Sequence, residues 1–235
     1  MSPGLEILPV AGLPEVHPGD VLAELIAGHA AGLLRDRDVV VVTQKIVSKA
    51  ENRLVAVDPD DPLSHKPLVE QESVRVLRRR GDLVISETRH GFVCANAGID
   101  LSNVERGYAA LLPVDPDRSA RRIRDGLRAR AGVEVGVIVS DTFGRTWRRG
   151  VTDVAIGCAG IAAVVDLRGT TDALGRELQV TEVAIADEIA AAADLVMGKS
   201  AGVPVAIVRG LDGSWFRDSS VAAEIIRRPD EDLFR

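Results

Sequence analysis

One short segment concentrates the side chains that phosphate chemistry needs. Asp141 and Thr142 follow a run of apolar residues, and Arg145, Arg148 and Arg149 come within the next seven positions. A carboxylate and a hydroxyl beside several arginines can hold a metal-bound phosphate and neutralise the charge that develops in phosphoryl transfer. Arginine also binds carboxylates through two parallel hydrogen bonds. A structural ion-pair network is the alternative, and the density of charged residues favours a functional site.

A second polar segment follows a run of four valines. The stretch 39–42 predicts a buried strand, and the residues after it include Thr43, Gln44 and Lys49. Ligand sites of α/β proteins lie at such strand ends, and a lysine can hold a phosphate as a point charge. A surface position is an equally good interpretation of Lys49 from the residues alone.

The third segment, 96–103, is rich in turn-forming residues and contains Asp100. An aspartate in such a turn can ligate Mg²⁺, which takes oxygen ligands and shares them with phosphates. The same residues also suit an Asx-turn, in which Asp100 and Asn103 cap backbone groups. The residues alone favour this structural role.

Two glycine-containing segments resemble nucleotide-binding motifs without matching them. The stretch 193–200 lacks the first glycine of a phosphate-binding loop and closes a predicted helix, so a helix end at Gly198 is the better interpretation. The stretch 155–160 lacks the first glycine of a dinucleotide-binding motif and follows charged residues instead of a strand, which favours a structural turn. A Rossmann oxidoreductase is therefore the weakest functional alternative.

Alternating apolar and amphipathic stretches must position these segments. The apolar stretches predict strands at 5–10, 39–42, 83–86, 92–95, 135–139, 162–167, 178–181 and 203–208, with a turn into another strand across 48–57 and a polar loop at 140–150. The amphipathic stretches predict helices at 20–34, 69–80, 115–132, 182–197 and 219–226. Interleaved strands and helices indicate a mixed α/β (α+β) class. No linker separates two domains, so any subdomains are interwoven.

Composition excludes several classes of protein. The chain has 235 residues, 46% of them hydrophobic, and a formal net charge of -6. This content predicts a folded chain of one or two domains, and the acidic balance argues against nucleic acid as a partner. No stretch approaches the about 20 apolar residues of a membrane span, so no membrane partner is expected. Cys94 and Cys158 form no disulfide framework, which predicts a reducing, cytoplasmic location.

Several segments, taken together in their order, resemble the coenzyme F-420-0:L-glutamate ligases, also called coenzyme F-420:gamma-glutamyl ligases or CofE-like proteins. They run from residue 6 to about residue 209 and read LPVAGLPEVHPGD, VVVVTQKIVSKAENR, NAGIDLSNV, ALLPVDPD, SDTFGRTWRRG, GRELQVTEVAIADEIAAAADLVMGK and PVAIVRG. No single segment is decisive, but their joint order is specific. The resemblance is closest to actinobacterial members, which are often fused to a C-terminal flavin-binding domain.

The resemblance implies a CofE-like fold of two interwoven subdomains with mixed sheets. It implies one ligase unit over residues 1–235, without a C-terminal flavin domain in this chain, and a homodimer. The implied substrates are coenzyme F-420-0, L-glutamate and GTP, and the implied cofactors are Mg²⁺ or Mn²⁺, with a role for K⁺. The implied reaction adds L-glutamate, and then further gamma-linked glutamates, through an acyl phosphate. A carboxylate–amine ligase with another acceptor and a non-catalytic GTP-binding regulatory module are the alternatives.

The resemblance also assigns roles to individual positions. The implied nucleotide contacts are Leu13, Pro14, Glu15, Val16, Thr43, Gln44, Lys49 and Asn103, followed by the loop Met197, Gly198, Lys199, Ser200, Ala201, Gly202 and Val203. Asp100 and Asp141 match ligands of one divalent cation, and Thr142 a ligand of a second. Lys199 stands where archaeal members are expected to carry a glutamate ligand, which leaves the second cation open. Charge alone adds Arg145, Arg148 and Arg149 to Asp141 as catalytic candidates.

Overall fold

The computed structural model describes residues 4–232, and residues 1–3 and 233–235 lie outside the described part. The strands are β1 (Glu6–Pro9), β2 (Val39–Thr43), β3 (Leu54–Ala56), β4 (Ser73–Arg80), β5 (Leu83–Thr88), β6 (Val93–Ala95), β7 (Tyr108–Ala110), β8 (Gly136–Gly144), β9 (Val151–Ala159), β10 (Val165–Asp166), β11 (Glu182–Val183) and β12 (Val205–Arg209). The helices are α1 (Leu22–His29), α2 (Gln44–Ala50), α3 (Lys66–Glu72), α4 (Pro116–Ala131), α5 (Ile185–Met197) and α6 (Val221–Glu224), with 3-10 turns at Asn96–Gly98 and Gly213–Trp215.

A five-stranded mixed sheet carries the core. Its strand order is β1-β12-β2-β8-β9, in which β2 and β8 are parallel and the other neighbours are antiparallel. The four valines of β2 are fully buried, as is typical of a strand with both faces covered. Helices α4 and α5 pack on this sheet, and α1 packs on α4. The mixed α/β class predicted from the sequence is confirmed.

The parallel pair brings two of the polar segments together. Thr43 at the end of β2 lies opposite Ser140 of β8, so the residues after each lie at the same edge of the sheet. A three-stranded antiparallel sheet, β4-β5-β6, leads into the segment that carries Asp100. Asp100 pairs with Ala110 across an isolated bridge, which ties that segment to the end of β7. The third polar segment is thereby attached beside the sheet edge.

The ends of the long helices follow the sequence signals. Asp115 caps α4 by accepting a hydrogen bond from the backbone N–H of Arg118, 2.9 Å away, and the helix stops at Gly132 in the left-handed region with φ 67°. Helix α5 ends at Met197 and is followed by Gly198 with φ 55°. The helix end predicted at Gly198, instead of a phosphate-binding loop, is therefore confirmed.

The helix predicted at 69–80 is wrong beyond Glu72. Ser73–Arg80 is strand β4, paired with β5 through a tight turn at Gly81, whose φ is 56°. A helix would have placed the arginines of this stretch three and four residues apart on one face, where like charges repel. In the strand, Arg75 instead forms an ion pair with Glu87 of β5 at 3.1 Å.

The turn predicted at 155–160 is also wrong, because residues 155–159 belong to strand β9. Gly157 permits a close approach of helix to sheet, since a Cβ there would lie 2.3 Å from the carbonyl carbon of Pro116 in α4. The polar loop predicted at 140–150 is shorter than expected. Strand β8 continues past an irregularity at Val139–Ser140 to Gly144, and only 145–150 connect it to β9.

Short elements account for the remaining differences. The turn predicted at the start of 48–57 belongs to helix α2, and the strand of this stretch is confined to β3. The strand predicted at 162–167 is reduced to β10, and the one predicted at 178–181 is absent from the described residues, where β11 follows instead. Helices predicted at 20–34 and 219–226 are trimmed at both ends. Within residues 4–232, helices are too short or too polar to cross a bilayer.

A buried carboxylate joins three elements of the core. Asp117 of α4 accepts hydrogen bonds from the backbone N–H groups of Cys158 in β9 at 2.8 Å, of Val221 at 2.9 Å and of Ala222 at 3.1 Å, the last two in α6. These donors lie in the interior or near it, so each would lose its partner without the carboxylate.

We expect Asp117→Ala to lower the free energy of unfolding by roughly 3 kcal/mol, because backbone donors are left without an acceptor. Asp125→Ala on the same helix is the matched control, since Asp125 is exposed and pairs only with Arg124. It should change stability by less than about 0.5 kcal/mol. Urea denaturation followed by circular dichroism measures both, and equal midpoints would refute this role of Asp117.

Candidate functional site

A cleft of about 960 Å³ opens at the sheet edge where β2 and β8 end. The predicted nucleotide-binding residues that line it are Leu13, Pro14, Glu15, Val16, Thr43, Gln44, Lys49, Asn103, Met197, Gly198, Lys199, Ser200, Gly202 and Val203. Asp141 and Thr142 line it too. Segments up to about 190 positions apart in the chain therefore converge on one cavity.

The remaining candidates lie outside this cleft. Ala201 belongs to the 198–203 loop without lining the cleft, and Asp100 lines a smaller pocket next to it. Arg145, Arg148 and Arg149 are exposed at the tip of the β8–β9 hairpin and line neither cavity.

Asp153 organises the hydroxyl groups at the floor of the cleft. Its buried carboxylate accepts hydrogen bonds from the hydroxyl of Ser140 at 2.8 Å and from that of Thr142 at 2.7 Å. Each hydroxyl has one proton, and that proton is used in the bond to Asp153. The oxygen of Thr142 is consequently left with lone pairs that can face a ligand in the cleft.

Asp141 is a carboxylate in an unfavourable electrostatic position. Burial raises the pKa of Asp141 to about 7, with further contributions from the negative charges of Asp100 and Asp153. The backbone N–H of Thr142, which donates to Asp141 at 2.9 Å, and the ammonium of Lys45 act in the opposite direction on this pKa. Asp141 thus lacks a strong cationic partner within the described chain.

Asp100, by contrast, is paired. Its carboxylate binds the ammonium of Lys45 at 2.8 Å and accepts the backbone N–H of Ser102 at 2.7 Å. Burial alone would raise the pKa of Asp100, but the hydrogen bonds from Lys45 and Ser102 outweigh it and lower this pKa. Lys45 also donates to the Ser102 hydroxyl at 2.9 Å. The Asx-turn predicted for Asp100 exists, and it leaves the carboxylate beside the cleft.

Lys49 and Gln44 are polar residues held in the interior next to the cleft. Lys49 is only 7% exposed and pairs with Glu15, so the alternative of a surface lysine is wrong. Gln44 is 1% exposed; its carbonyl accepts from the Ser48 hydroxyl at 2.8 Å, while its amide nitrogen has no hydrogen-bond partner among residues 4–232. A buried donor without a protein partner at the wall of a cleft is available to an acceptor of a ligand or of a water molecule.

The loop 198–203 closes one side of the cleft. Gly198 and Gly202 both adopt positive φ, at 55° and 65°. The side-chain amide of Asn103 donates to the backbone carbonyl of Lys199 at 3.1 Å. This hydrogen bond connects the segment that carries Asp100 to the loop that follows α5. These two segments form walls of the cleft, and the bond restrains their relative movement.

A second pocket of about 150 Å³ adjoins the cleft. Asp141 and Thr142 line both cavities, and Asp100, Cys94 and Phe143 belong to the small one. Burial raises the pKa of the Cys94 thiol to about 12, and the charge of Asp141 adds to this shift. Cys94 is therefore a neutral wall of the pocket and no nucleophile.

Sequence reasoning missed three residues of this site: Lys45, Asp153 and Asp194. All three line the cleft. Burial, followed by the charge of Asp153, raises the pKa of Asp194, while Lys199 opposes the shift. Asp153 was missed because β9 was not predicted: residues 151–154 had no assignment, and 155–160 were interpreted as a turn. Its alignment with the Ser140 and Thr142 hydroxyls across the hairpin would have been the signal, had β9 been identified.

The oxygen atoms at the junction of the two cavities suit a hard divalent cation. Among residues 4–232, no group of three or more His, Cys, Asp and Glu side chains is spaced to hold a metal by itself. Mg²⁺ characteristically takes one or two protein carboxylates and completes its shell with phosphates and water. Asp141 without a cationic partner, Asp100 and the oriented Thr142 hydroxyl fit that pattern.

Comparison with known proteins gives a consistent result. A family model described as "F420-0:Gamma-glutamyl ligase" matches residues 12–210. The chain is 45% identical to a "Coenzyme F420:L-glutamate ligase" of Methanopyrus kandleri, with 99% of this chain and 98% of the relative covered. Proteins with the same description from Methanothermobacter thermautotrophicus and Methanococcus maripaludis are 42% and 40% identical, and the alignments cover 99% of this chain and 99% and 96% of the relatives.

Asn103→Asp should loosen the loop 198–203, because a carboxylate cannot donate to the Lys199 carbonyl and repels it. Losing a bond worth roughly 1 kcal/mol should speed amide hydrogen exchange in this loop about fivefold. Asn52→Asp is the control, since Asn52 also has φ 55° and lines the cleft. Hydrogen exchange measured by mass spectrometry compares the two, and unchanged protection in the Asn103 variant would contradict the tie.

Proposed function

The chain belongs to the F420-0:gamma-glutamyl ligase family, and we propose that it is a GTP-dependent ligase that joins L-glutamate to the phospholactyl carboxylate of coenzyme F-420-0. The observation that carries this proposal is the meeting of two cavities at Asp141 and Thr142. A ligase that activates a carboxylate with a nucleotide must bring a phosphate and a carboxylate to one point, away from bulk water.

The large cleft suits a nucleoside triphosphate. Its volume of about 960 Å³ lies at the upper end of the range for small-molecule and cofactor sites. Lys45, Lys49 and Lys199 line it and supply positive charge for phosphates. The unpartnered amide of Gln44 supplies a donor for a phosphate or base oxygen. These features support a nucleotide, and the choice of GTP over ATP is taken from the family resemblance.

The proposed chemistry has two steps. In the first, an oxygen of the acceptor carboxylate attacks the γ-phosphorus, and the bond from this phosphorus to the bridging oxygen breaks, so that GDP leaves with the electron pair. In the second, the amine nitrogen of L-glutamate attacks the carbonyl carbon of the acyl phosphate. The bond from carbon to the phosphate oxygen then breaks, phosphate leaves, and the nitrogen loses its proton to solvent or a nearby base. Repetition on the new γ-carboxylate would extend the tail.

Asp100, Asp141 and Thr142 would hold Mg²⁺ or Mn²⁺, whose charge shields the triphosphate from the incoming carboxylate. Neighbouring residues would orient the ligands of this cation and supply further positive charge. Asp153 orients the Thr142 hydroxyl, Lys45 holds Asp100, and Lys199 places an ammonium on the cleft wall. Lys199 thereby offers charge at the phosphates where a glutamate ligand was expected. A role for K⁺ remains part of the proposal, as does a reducing cytoplasmic location for the free, buried Cys94 and Cys158.

The reaction is tested with purified protein, F-420-0, L-glutamate, Mg²⁺ or Mn²⁺, and either GTP or ATP, with products read by mass spectrometry. Products heavier by one or more glutamates, formed with GTP only, are expected. Product formation with another carboxylate acceptor, and none with F-420-0, would support the alternative of a carboxylate–amine ligase with a different acceptor. GTP binding without any mass shift would support the regulatory module and refute the ligase.

Asp141→Asn should lower kcat in this assay by roughly 100-fold or more, as the loss of one preorganised charge-stabilising group does. Stability should change little, because burial and the neighbouring carboxylates already disfavour the Asp141 charge, and an amide oxygen still accepts from Thr142. Asp60→Asn is the control, since Asp60 is exposed and pairs with Arg106 at the surface. Normal turnover by the folded Asp141 variant would refute the assignment.

We also propose that the protein is a homodimer, built on the exposed face of β4. Val74 and Leu77 of this edge strand are 68% and 42% exposed and bulge out of the register with β5. Such bulges discourage strand-to-strand pairing between copies, whereas exposed apolar side chains favour burial in an interface. The second copy would therefore cover this apolar face.

Val74→Glu and Leu77→Glu, made together, should shift the protein from dimer to monomer in size-exclusion chromatography with light scattering, because buried unpaired carboxylates oppose association. Leu174→Glu is the control, at an apolar residue that is 87% exposed elsewhere. A dimer that survives the double substitution, or a wild-type monomer at micromolar concentration, would refute this interface.

A further inference from the structure

The small pocket beside the cleft has walls that select a narrow class of ligand. Its volume of about 150 Å³ corresponds to about five waters at about 30 Å³ each. Ile99, Phe143 and Ala95 give it apolar walls, and its charged side chains are the carboxylates Asp100 and Asp141. No Lys, Arg or His is among its lining residues in the described chain. A ligand with several charges would leave some of them unpaired there.

A cluster of arginines follows the pocket residue Gly144 in the chain. Gly144 lines the pocket and directly precedes Arg145, which begins the hairpin tip. Arg145, Arg148 and Arg149 form no ion pair within residues 4–232; Arg145 donates only to the backbone carbonyl of Arg149, at 2.9 Å. Trp147 between them is 90% exposed. Unpaired guanidinium groups beside an exposed indole suit a ligand that carries an anionic group and a planar ring.

From these two features we infer that the small pocket receives the carboxylate end of the acceptor, a carboxylate on a short apolar arm, while the rest of the acceptor lies along the hairpin tip. This inference rests on the proposed function and deepens it, because it separates the acceptor site from the nucleotide site. The carboxylate would lie at Asp141 and Thr142, the two residues shared with the cleft.

The charge balance favours the acceptor over L-glutamate as the occupant. Glutamate has two carboxylates and an ammonium within one small molecule, and the pocket would leave a carboxylate without a cationic partner beside Asp100. The acceptor has a single carboxylate with a methyl group next to it, and its phosphodiester lies farther along the molecule. The methyl fits against Ile99 and Phe143, and the phosphodiester fits the arginines outside the pocket.

The same charge balance predicts an order of binding. Asp100 and Asp141 repel a carboxylate unless a cation offsets them, and Lys45 forms its ion pair with Asp100. The acceptor should accordingly bind more tightly when Mg²⁺ is present, through these two residues of the chain. A pocket that served an ammonium group would show the opposite dependence.

Two positions in the pocket can be enlarged to test this. A Cβ built on Gly144 meets no atom within 4 Å, and its φ is not in the left-handed region. Ala95 also lines the pocket and belongs to the extended strand β6. Gly144→Val and Ala95→Leu each add three carbon atoms, a large part of a cavity this small. Gly28→Val is the matched control, at an exposed glycine of α1 with no atom within 4 Å of its Cβ.

Equilibrium dialysis with Mg²⁺ should show that both pocket variants bind F-420-0 at least tenfold more weakly than wild type, while their affinity for GTP changes less than twofold. In the ligase assay, KM for F-420-0 should rise and KM for L-glutamate should stay the same. The Gly28 variant should match wild type throughout. Circular dichroism melting identifies a variant that fails to fold. The binding and kinetic results of the other pocket variant then test the inference.

Three results would overturn the inference: unchanged affinity for F-420-0 in both folded variants, a rise in KM confined to L-glutamate, or equal loss of GTP binding. Failure of the proposed function is a separate result. It would appear as wild-type protein that makes no product, and dialysis still reports on the pocket in that case. Wild-type protein that binds no F-420-0 would refute the pocket as an acceptor site.

Discussion

The parallel pairing of β2 with β8 is the constraint on which the rest of the site depends. The paired stretches 39–42 and 136–139 are buried, and both run toward the same edge of the sheet. The residues next to the last parallel pair, Thr43 and Ser140, are thereby held within one small volume, with Gln44 after β2 on one side and Asp141 of β8 on the other. Burial of the apolar strand residues, which is non-directional, therefore fixes the position of polar residues whose interactions depend on direction.

Unequal pairing of charges defines the cleft. Lys45 and Lys49 are held by Asp100 and Glu15, and Asp153 is satisfied by two hydroxyl groups. Asp141 is left with a single backbone donor beside other carboxylates. A buried negative charge in that position costs free energy in the unliganded protein, and a bound cation relieves the cost. This charge distribution suits a positive charge beside Asp141.

In the proposed reaction, the two cavities would hold the nucleotide and the acceptor separately. A polar, lysine-lined cleft can hold a triphosphate, and a small pocket with apolar walls admits one short arm. Because the two share only Asp141 and Thr142, ligands in them can meet at only that point. The loop 198–203, tied to Asn103, closes the cleft without crossing the pocket. Exclusion of water from the meeting point would protect an acyl phosphate from hydrolysis.

The sequence by itself determined the class of fold, the buried strands, the caps of α4 and α5, and the family through the order of its motifs. Local signals suffice for these, because β-branched runs and capping residues act within a few positions. The residues around Asp100, Asp141 and the loop after α5 were also found from the sequence, although only their resemblance to a family linked them. What each does in the reaction remains a prediction.

Tertiary structure decided the rest. Ser73–Arg80 became a strand because β5 supplied a partner and Glu87 supplied a charge for Arg75. Residues 155–159 became a strand because they pair with β8, and this strand brought Asp153 to the hydroxyls of Ser140 and Thr142. Neither outcome is visible in a window of a few residues, because the stabilising partner lies elsewhere in the chain. Both cavities also depend on tertiary structure, because they are lined by segments that are distant in the chain and adjacent in the fold.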